Sequence, residues 1–331
     1  MKNLVTGASG FLGSNLVKHL LMRNEQVIVM VRPTSNLRRL EDVKDKVEIR
    51  FGSLEDYNSL LRSLQGVDRL YHVAGNVRIG SFKKEELFRD NVTGSENIFN
   101  AALEMNIPEV IYVSSISILG SDAEHVVNEN DVGQGRILST YGETKLAAYY
   151  TFKEANKRGL NIKTAIPSNI FGPDDPNFGR LFKHFVQKRL KVIAGNLNAN
   201  IGMIHVDGVC EGIIQIAESG RPGESYILNM ENITLGEILM LAERITGIRA
   251  PRFKVPKPIV KGAAILLDLI GRIVRKDILL NRQSARVLYT THPVFDSSKA
   301  QKELNWKPAP FDKSFSEVIK WYQEKYERRK T

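Results

Sequence analysis

The chain has a single cysteine, Cys210, among 331 residues. One thiol excludes an intramolecular disulfide and offers no metal-ligand spacing, so no metal site is expected and a reducing compartment is. Low-complexity segments and internal repeats are also missing. Long uninterrupted apolar runs are absent too. The most apolar late stretch, PIVKGAAILLDLIGRIV, is broken by Lys261 and Asp268, short of the roughly 18 apolar residues that a membrane span needs. It reads as a buried or interfacial helix. The first strand candidate begins at residue 3, which leaves no room for a secretory signal ahead of it. A cytosolic, globular protein is the expectation, and 42% apolar content suffices for one large core or two modest ones.

Acids are scarce in one region. Residues 244–286 hold eleven Lys or Arg against Asp268 and Asp277, a local excess of nine that nearly equals the net charge of +10. The basicity is therefore regional. No aromatic-rich nucleic-acid motif accompanies it, so nucleic acid is not an expected partner. A solvated surface explains such a run; an anionic substrate, a carrier or a lipid surface would explain it more sharply.

What is present has a rhythm. Short Val- and Ile-rich runs, NLVT, QVIVMV, KVEIRF, RLYHVAG, EVIYVSS and NIKTAIP, alternate with helical patterns near 11–23, 55–64, 84–106 and 140–158. That alternation predicts an α/β fold: a doubly wound parallel sheet of Rossmann type covered on both faces. After Pro167 the Gly-, Pro- and Asp-rich FGPDDPNFG reads as a loop leaving the sheet. A smaller, mainly helical substrate lobe follows, with helices near 179–189, 207–219, 234–246, 259–275 and 312–328 and scattered strand candidates such as SYILNM. The expected division is a nucleotide-binding domain over 1–170 and a substrate lobe over 171–331, with segments of about 200–232 returning to the core.

Gly7, Gly10 and Gly13 recur at every third residue between the first strand and the first helix. A strand, a tight turn and a helix N-terminus bring backbone N–H groups to one point, which suits a pyrophosphate. The spacing G-x-x-G-x-x-G also suits glycines that merely close a βα turn. About 20 residues on, where Asp or Glu would meet a ribose 2′-hydroxyl, the chain places Arg32, followed by Ser35, Arg38 and Arg39. A guanidinium gains most from a 2′-phosphate. The expected cofactor is NADP(H), with NAD as the alternative.

Tyr141 and Lys145 stand four apart on an expected helix and share a face. A phenol titrates at about 10, and a neighbouring ammonium would lower that value so that Tyr141 could exchange a proton with an alcohol or carbonyl. Upstream, VIYVSSISILG ends a strand in hydroxyls. Ser115 is the expected holder of the substrate oxygen, with Ser114 and Ser117 as competitors and simple capping as the plainer role.

Taken together, TGASGFLG, HVAG at 72–75, VSSISILG at 113–120, YGETK at 141–145, PSNIFGP at 167–173 and IHVDGV at 204–209 resemble the extended short-chain dehydrogenase/reductase, or NAD-dependent epimerase/dehydratase, superfamily. Within it the likeness is to the dihydroflavonol-reductase-like group, which includes hopanoid-associated sugar-epimerase-like proteins. VRPTSNLRRL, GRPGESYIL and FDSSKAQKELNWKP extend it almost to the C-terminus. The resemblance implies a catalytic set of Ser115, Tyr141 and Lys145, with Lys145 also on the nicotinamide ribose. It implies pyrophosphate contacts at Gly7, Ser9, Gly10, Phe11, Leu12 and Gly13, and adenine or ribose contacts near Arg32, Ser53, Leu54, Val73 and Ala74. Ser114, Pro167, Ser168 and Ile170 complete the cofactor contacts it implies, the last three beside the nicotinamide. Asn91 matches an asparagine of the family that is structural or orders a proton-relay water. His72 and His205 read as packed or hydrogen-bonded residues.

Some positions depart from the family pattern: Ser53 stands where aspartate is usual, Gly75 where alanine is, and Gly208 where a second aspartate is common. Ser115 also lacks the Asp-Glu pair of the sugar dehydratases, and His292 stands where nucleotide-sugar epimerases tend to carry arginine, with Arg286 upstream as a substitute. The expected activity is therefore an NADP(H)-dependent reduction of a ketone or oxidation of a secondary alcohol. A sugar epimerase with no net redox is the alternative, and a non-catalytic NADP(H)-sensing or scaffold protein a third. The basic, apolar 244–286 segment predicts an anionic or amphiphilic substrate and leaves weak membrane-surface contact open. A homodimer is a further expectation.

Overall fold

Strands that are apolar at successive positions need cover on both faces. In the computed structural model, which describes residues 1–80, 83–121, 125–290 and 293–326 and the backbone of residue 327, the Val/Ile-rich runs receive it, apart from KVEIRF, whose residues 48–51 lie at the sheet edge exposed or half-buried. The first half runs β1 (Lys2–Thr6), α1 (Phe11–Met22), β2 (Gln26–Val31), β3 (Glu48–Phe51), α2 (Tyr57–Leu64), β4 (Arg69–His72), α3 (Lys84–Phe88), α4 (Gly94–Glu104), β5 (Glu109–Val113), α5 (Thr140–Lys157) and β6 (Ile162–Pro167). The second runs β7 (Asn169–Phe171), α6 (Phe178–Val186), β8 (Val192–Ile193), β9 (Asn200–His205), α7 (Val206–Ser219), β10 (Ser225–Leu228), β11 (Glu231–Thr234) and α8 (Leu235–Thr246). It ends with β12 (Phe253–Lys254), α9 (Lys257–Ile273), α10 (Arg282–Tyr289), α11 (Ser298–Leu304) and α12 (Phe311–Glu327).

Seven strands form the main sheet in the order β10-β6-β5-β4-β1-β2-β3, every neighbouring pair parallel. The winding reverses between β1 and β4, and such a reversal opens a crevice beyond the carboxyl ends of the two strands. Two apolar layers sandwich the sheet. One packs Leu60, Ile98, Phe99 and Phe152 from α2, α4 and α5; the other packs Leu16, Leu20, Ile213 and Leu304 from α1, α7 and α11.

The late strand candidate SYILNM contributes β10, an edge strand of the main sheet that pairs with β6 from Ser225↔Thr164 to Leu228↔Pro167. The expected single helix over 84–106 is three pieces, because a π-helical turn at Arg89–Thr93 separates α3 from α4. Beyond the sheet, β7, β9 and β11 make a small sheet under α6, α8 and α12, around Phe171, Phe182, Phe315 and Ile319. Where α9 meets α10 the core shrinks to Val260, Ala264 and Ala285.

Candidate active site

The glycine turn lies at the crevice. Thr6, the last residue of β1, accepts the N–H groups of Val73 and Ala74 on its hydroxyl, each at 3.2 Å, so the ends of β1 and β4 are stitched together. Gly7 has a left-handed φ of 68°, and a Cβ there would lie 2.7 Å from Ala74 Cα. A Cβ on Gly13 would run into the Gly7 carbonyl oxygen. Both glycines are thus required by space, Gly7 by dihedral as well. Gly10 donates its N–H to that carbonyl at 2.9 Å and caps α1 without a side chain; no acid stands in the first turn. Phe11, Leu12 and Gly13 therefore open a helix whose first amides have no competing carboxylate, beside the half-buried Ser9.

At the end of β2, Arg32 is exposed, its N–H on Ser35 Oγ at 3.1 Å. Its guanidinium has no partner among the described residues. Arg38 and Arg39 are not free in the same way. Arg39 donates to the Asp174 carbonyl at 2.9 Å, both arginines reach the Asp174 carboxylate, at 3.4 and 3.7 Å, and Lys325 joins it at 2.9 Å. The basic loop therefore offers Arg32 rather than a cluster. Ser53 is held in a turn by Ser59 at 3.0 Å, and Leu54 packs against Gly94.

α5 is capped by Ser139, whose hydroxyl accepts the Gly142 N–H at 3.1 Å and sets Tyr141 in the first turn. Lys145, one turn on and 5% exposed, sends its ammonium to the Val113 carbonyl at 2.7 Å and sits 4.8 Å from the centre of the Tyr112 ring. Burial pulls that amine down to about 7. Tyr141 is half-buried; desolvation pushes its phenol up to about 12 against the pull of a hydrogen bond with Ser115. The expected lowering by Lys145 is not found: the ammonium faces a carbonyl and a ring, and Ser115 is the group that draws the phenol down.

Of the three serines, Ser115 is the one whose side chain lowers the Tyr141 phenol, and it also caps a short turn by accepting the Ser117 N–H at 3.2 Å. Ser114 donates its N–H to Ala165 at 2.8 Å in the sheet, with its hydroxyl buried beside Tyr112. Ser117 Oγ is buried without a partner among the described residues. At the end of β6, Pro167 pairs with Leu228, Ser168 is 4% exposed with a hydroxyl that has no partner among the described residues, and Ile170 is half-buried. A buried hydroxyl without a partner is costly unless a ligand completes it.

One segment joins the two halves of the site. Val73–Ala74 abuts Gly7, and the next residue, Gly75, lies beside Lys145: a Cβ on it would be 3.9 Å from Nζ and 3.7 Å from Asn91 Oδ1. Asn91, presented by the π-helical turn, accepts the Asn76 N–H at 2.6 Å and donates to Asn76 O at 3.0 Å and to Thr144 Oγ1 at 2.9 Å. It latches the β4 loop to α5, a structural role. A second latch was not read from the sequence: Gln283 of α10 accepts the Thr140 N–H and donates to Thr140 Oγ1, both at 2.9 Å. His72 is fully buried between Thr6 and Ser95, its imidazole pushed down to about 3 by burial, and His205 caps α7; neither is placed for acid-base work. His292 lies outside the described residues.

The glycine cradle, a helix start with no side-chain cap and the Ser168 hydroxyl, unpartnered among the described residues, fit a dinucleotide. Residues 3–229 match the model of the NAD dependent epimerase/dehydratase family. Over 331 residues the chain is 31% identical to sterol demethylase protein B of Methylococcus capsulatus, covering 98% of this chain and 99% of that one. A Synechocystis protein whose name refers to dihydroflavonol 4-reductase is 28% identical over 96% of this chain and 94% of its own. The solved structure of DesIV, a dTDP-glucose 4,6-dehydratase of Streptomyces venezuelae with NAD bound, superposes with a TM-score of 0.80 at 23% identity, covering 99% of this chain and 98% of that one.

Proposed function

Because the chain belongs to the NAD dependent epimerase/dehydratase family, enzymes of the extended short-chain dehydrogenase/reductase type, we propose that it interconverts a ketone and a secondary alcohol with NADP(H) at Ser115, Tyr141 and Lys145. The observation that carries this reading is the run Val73–Gly75, which touches the glycine turn on one side and lies beside Lys145 Nζ on the other. A dinucleotide laid along it would be held by the start of α1 at one end and by Lys145 at the other.

When bound, the nicotinamide supplies or accepts the hydride. Tyr141 handles the proton at its hydroxyl, and Ser115, whose side chain already lowers the Tyr141 phenol, holds the substrate oxygen beside it. A phenol at about 12 keeps its proton at neutral pH, the state from which carbonyl reduction starts. The unpaired guanidinium of Arg32 supports NADP(H) over NAD(H). Residues 1–170 would serve the cofactor and 171–331 the substrate, apart from the part of 200–232 that returns to the sheet. The names of the sterol demethylase and dihydroflavonol reductase relatives, with the apolar surface of the second half, support an amphiphilic substrate.

The test is to incubate the protein with NADPH and panels of ketones and sugars and to follow cofactor and product together. Cofactor consumed in proportion to product supports the reductase; product without net consumption would make it an epimerase. No turnover, with Tyr141→Phe keeping every cellular activity, would leave a sensor.

A further inference from the structure

α9 turns its apolar side the wrong way for a helix packed on a core. Its buried residues are only Val260, Ala264 and Gly271. The opposite side carries Ile259, Ile265, Leu266, Leu269, Ile270 and Ile273, between 38% and 72% exposed. At 100° per residue these six fall on one half of the helix. A contiguous aliphatic face of this kind on a surface marks an interaction site.

Charge identifies the occupant. Lys261 and Arg272 border the apolar face, Arg275 and Lys276 follow its end, and all are exposed. Asp268 is turned inward, 13% exposed, and held by Arg272 and Arg282 at 3.4 and 3.7 Å; Asp277 is held by Arg78 at 3.7 Å. Asp268 thus offsets Arg272 and Arg282 in part, while Lys261, Arg275 and Lys276 have no ion-pair partner among the described residues. A second copy of the chain docked about a two-fold axis would set these cations against their own equivalents. No helix of the described residues is long and apolar enough to cross a membrane. An aliphatic face with a cationic border suits an anionic bilayer surface.

We propose that α9 lies in the surface of an anionic membrane, its Ile and Leu side chains among the acyl chains and Lys261, Arg272, Arg275 and Lys276 on the headgroups. The next helix, α10, holds Thr140 at the start of α5 through Gln283. Docking would therefore hold the site next to the bilayer. The inference does not depend on which reaction the site performs.

Flotation of the purified full chain with phosphatidylcholine vesicles and with mixed phosphatidylcholine–phosphatidylglycerol vesicles tests it. The wild type is expected to float with the mixed vesicles and not with the neutral ones. Leu266→Asp with Leu269→Asp should reduce flotation to background, and Arg275→Gln with Lys276→Gln should weaken it by on the order of 30-fold, as two lost cations predict. All four side chains are on the surface, so thermal melts should match the wild type. Wild type that does not float overturns the proposal. Flotation that persists in the Leu266→Asp, Leu269→Asp variant overturns it too, because charge alone would then be acting. If that variant instead splits a lipid-free dimer into monomers, the face belongs to a second copy and the proposal fails.

Discussion

Lys145 gives its ammonium to the backbone carbonyl of Val113 at 2.7 Å, so the last residue of β5 holds the cation of the helix that follows it. That bond fixes where Lys145 points, beside Gly75 and the β4 loop, and leaves Tyr141 one turn earlier under the influence of Ser115 instead. The two side chains share a helix face but have separate partners. Tyr141→Phe should therefore lower kcat about 10²- to 10⁴-fold, the usual worth of a positioned acid, while cofactor Kd stays within a few-fold. Steady-state rates beside cofactor titrations check it; an unchanged kcat removes Tyr141 from the chemistry.

Lys145 also makes stability depend on pH. Its amine titrates near 7 in the folded chain and near 10.5 when ordinary. Between those values the unfolded chain holds the proton and the folded chain does not, so stability should rise as pH rises through this window. Lys145→Met removes the group from both states. Denaturant melts from pH 7 to 10 should show a slope in the wild type that is flattened in the variant; parallel slopes would mean the amine is not desolvated.

The glycines differ in what they exclude. Gly13→Ala drives a methyl into the Gly7 carbonyl and should cost about 1–3 kcal/mol with loss of cofactor binding. Gly75→Ala has nothing nearer than 3.7 Å and should stay within about 0.5 kcal/mol of the wild type. Melting and cofactor titration of both variants decide whether the cradle is built as described.

These contrasts show what the sequence could carry. The six strands of the first half, the long helices and the Tyr141/Lys145 spacing were legible because period and offset are local. Spacing placed Lys145 on the face of Tyr141 but not its ammonium, which the carbonyl of Val113 claimed. Arg38 and Arg39 follow Arg32 in a basic run, and nothing local shows that both reach Asp174, 135 or more residues away in the chain. β8 and β12 have two residues each, too few to show any period. The latch of Asn91 depends on a π-helical turn that breaks the helical repeat at that point.

Arg32 carries the cofactor preference. Arg32→Asp should weaken NADPH binding roughly 10- to 100-fold, the worth of charge-assisted hydrogen bonds, and should leave NADH binding equal or better. Fluorescence titration with both cofactors measures the two constants. Equal affinities in the wild type, unchanged by the substitution, would remove the phosphate clamp.

Gln283 stands 143 residues from Thr140 and yet bonds both its N–H and its hydroxyl. Because Tyr141 is the next residue, the amide of Gln283 sets where the first turn of α5 begins, and it acts as a positioning residue. Gln283→Ala should lower kcat about 10-fold with cofactor Kd and melting temperature nearly unchanged, since a small misplacement of a proton donor is costly. A carboxylate can accept from both Thr140 groups, so Gln283→Glu should restore most of kcat. A merely structural residue would lose stability in step with activity and would not be rescued in kcat alone. If kcat holds in Gln283→Ala, the start of α5 is set by the Ser139 cap without help from α10.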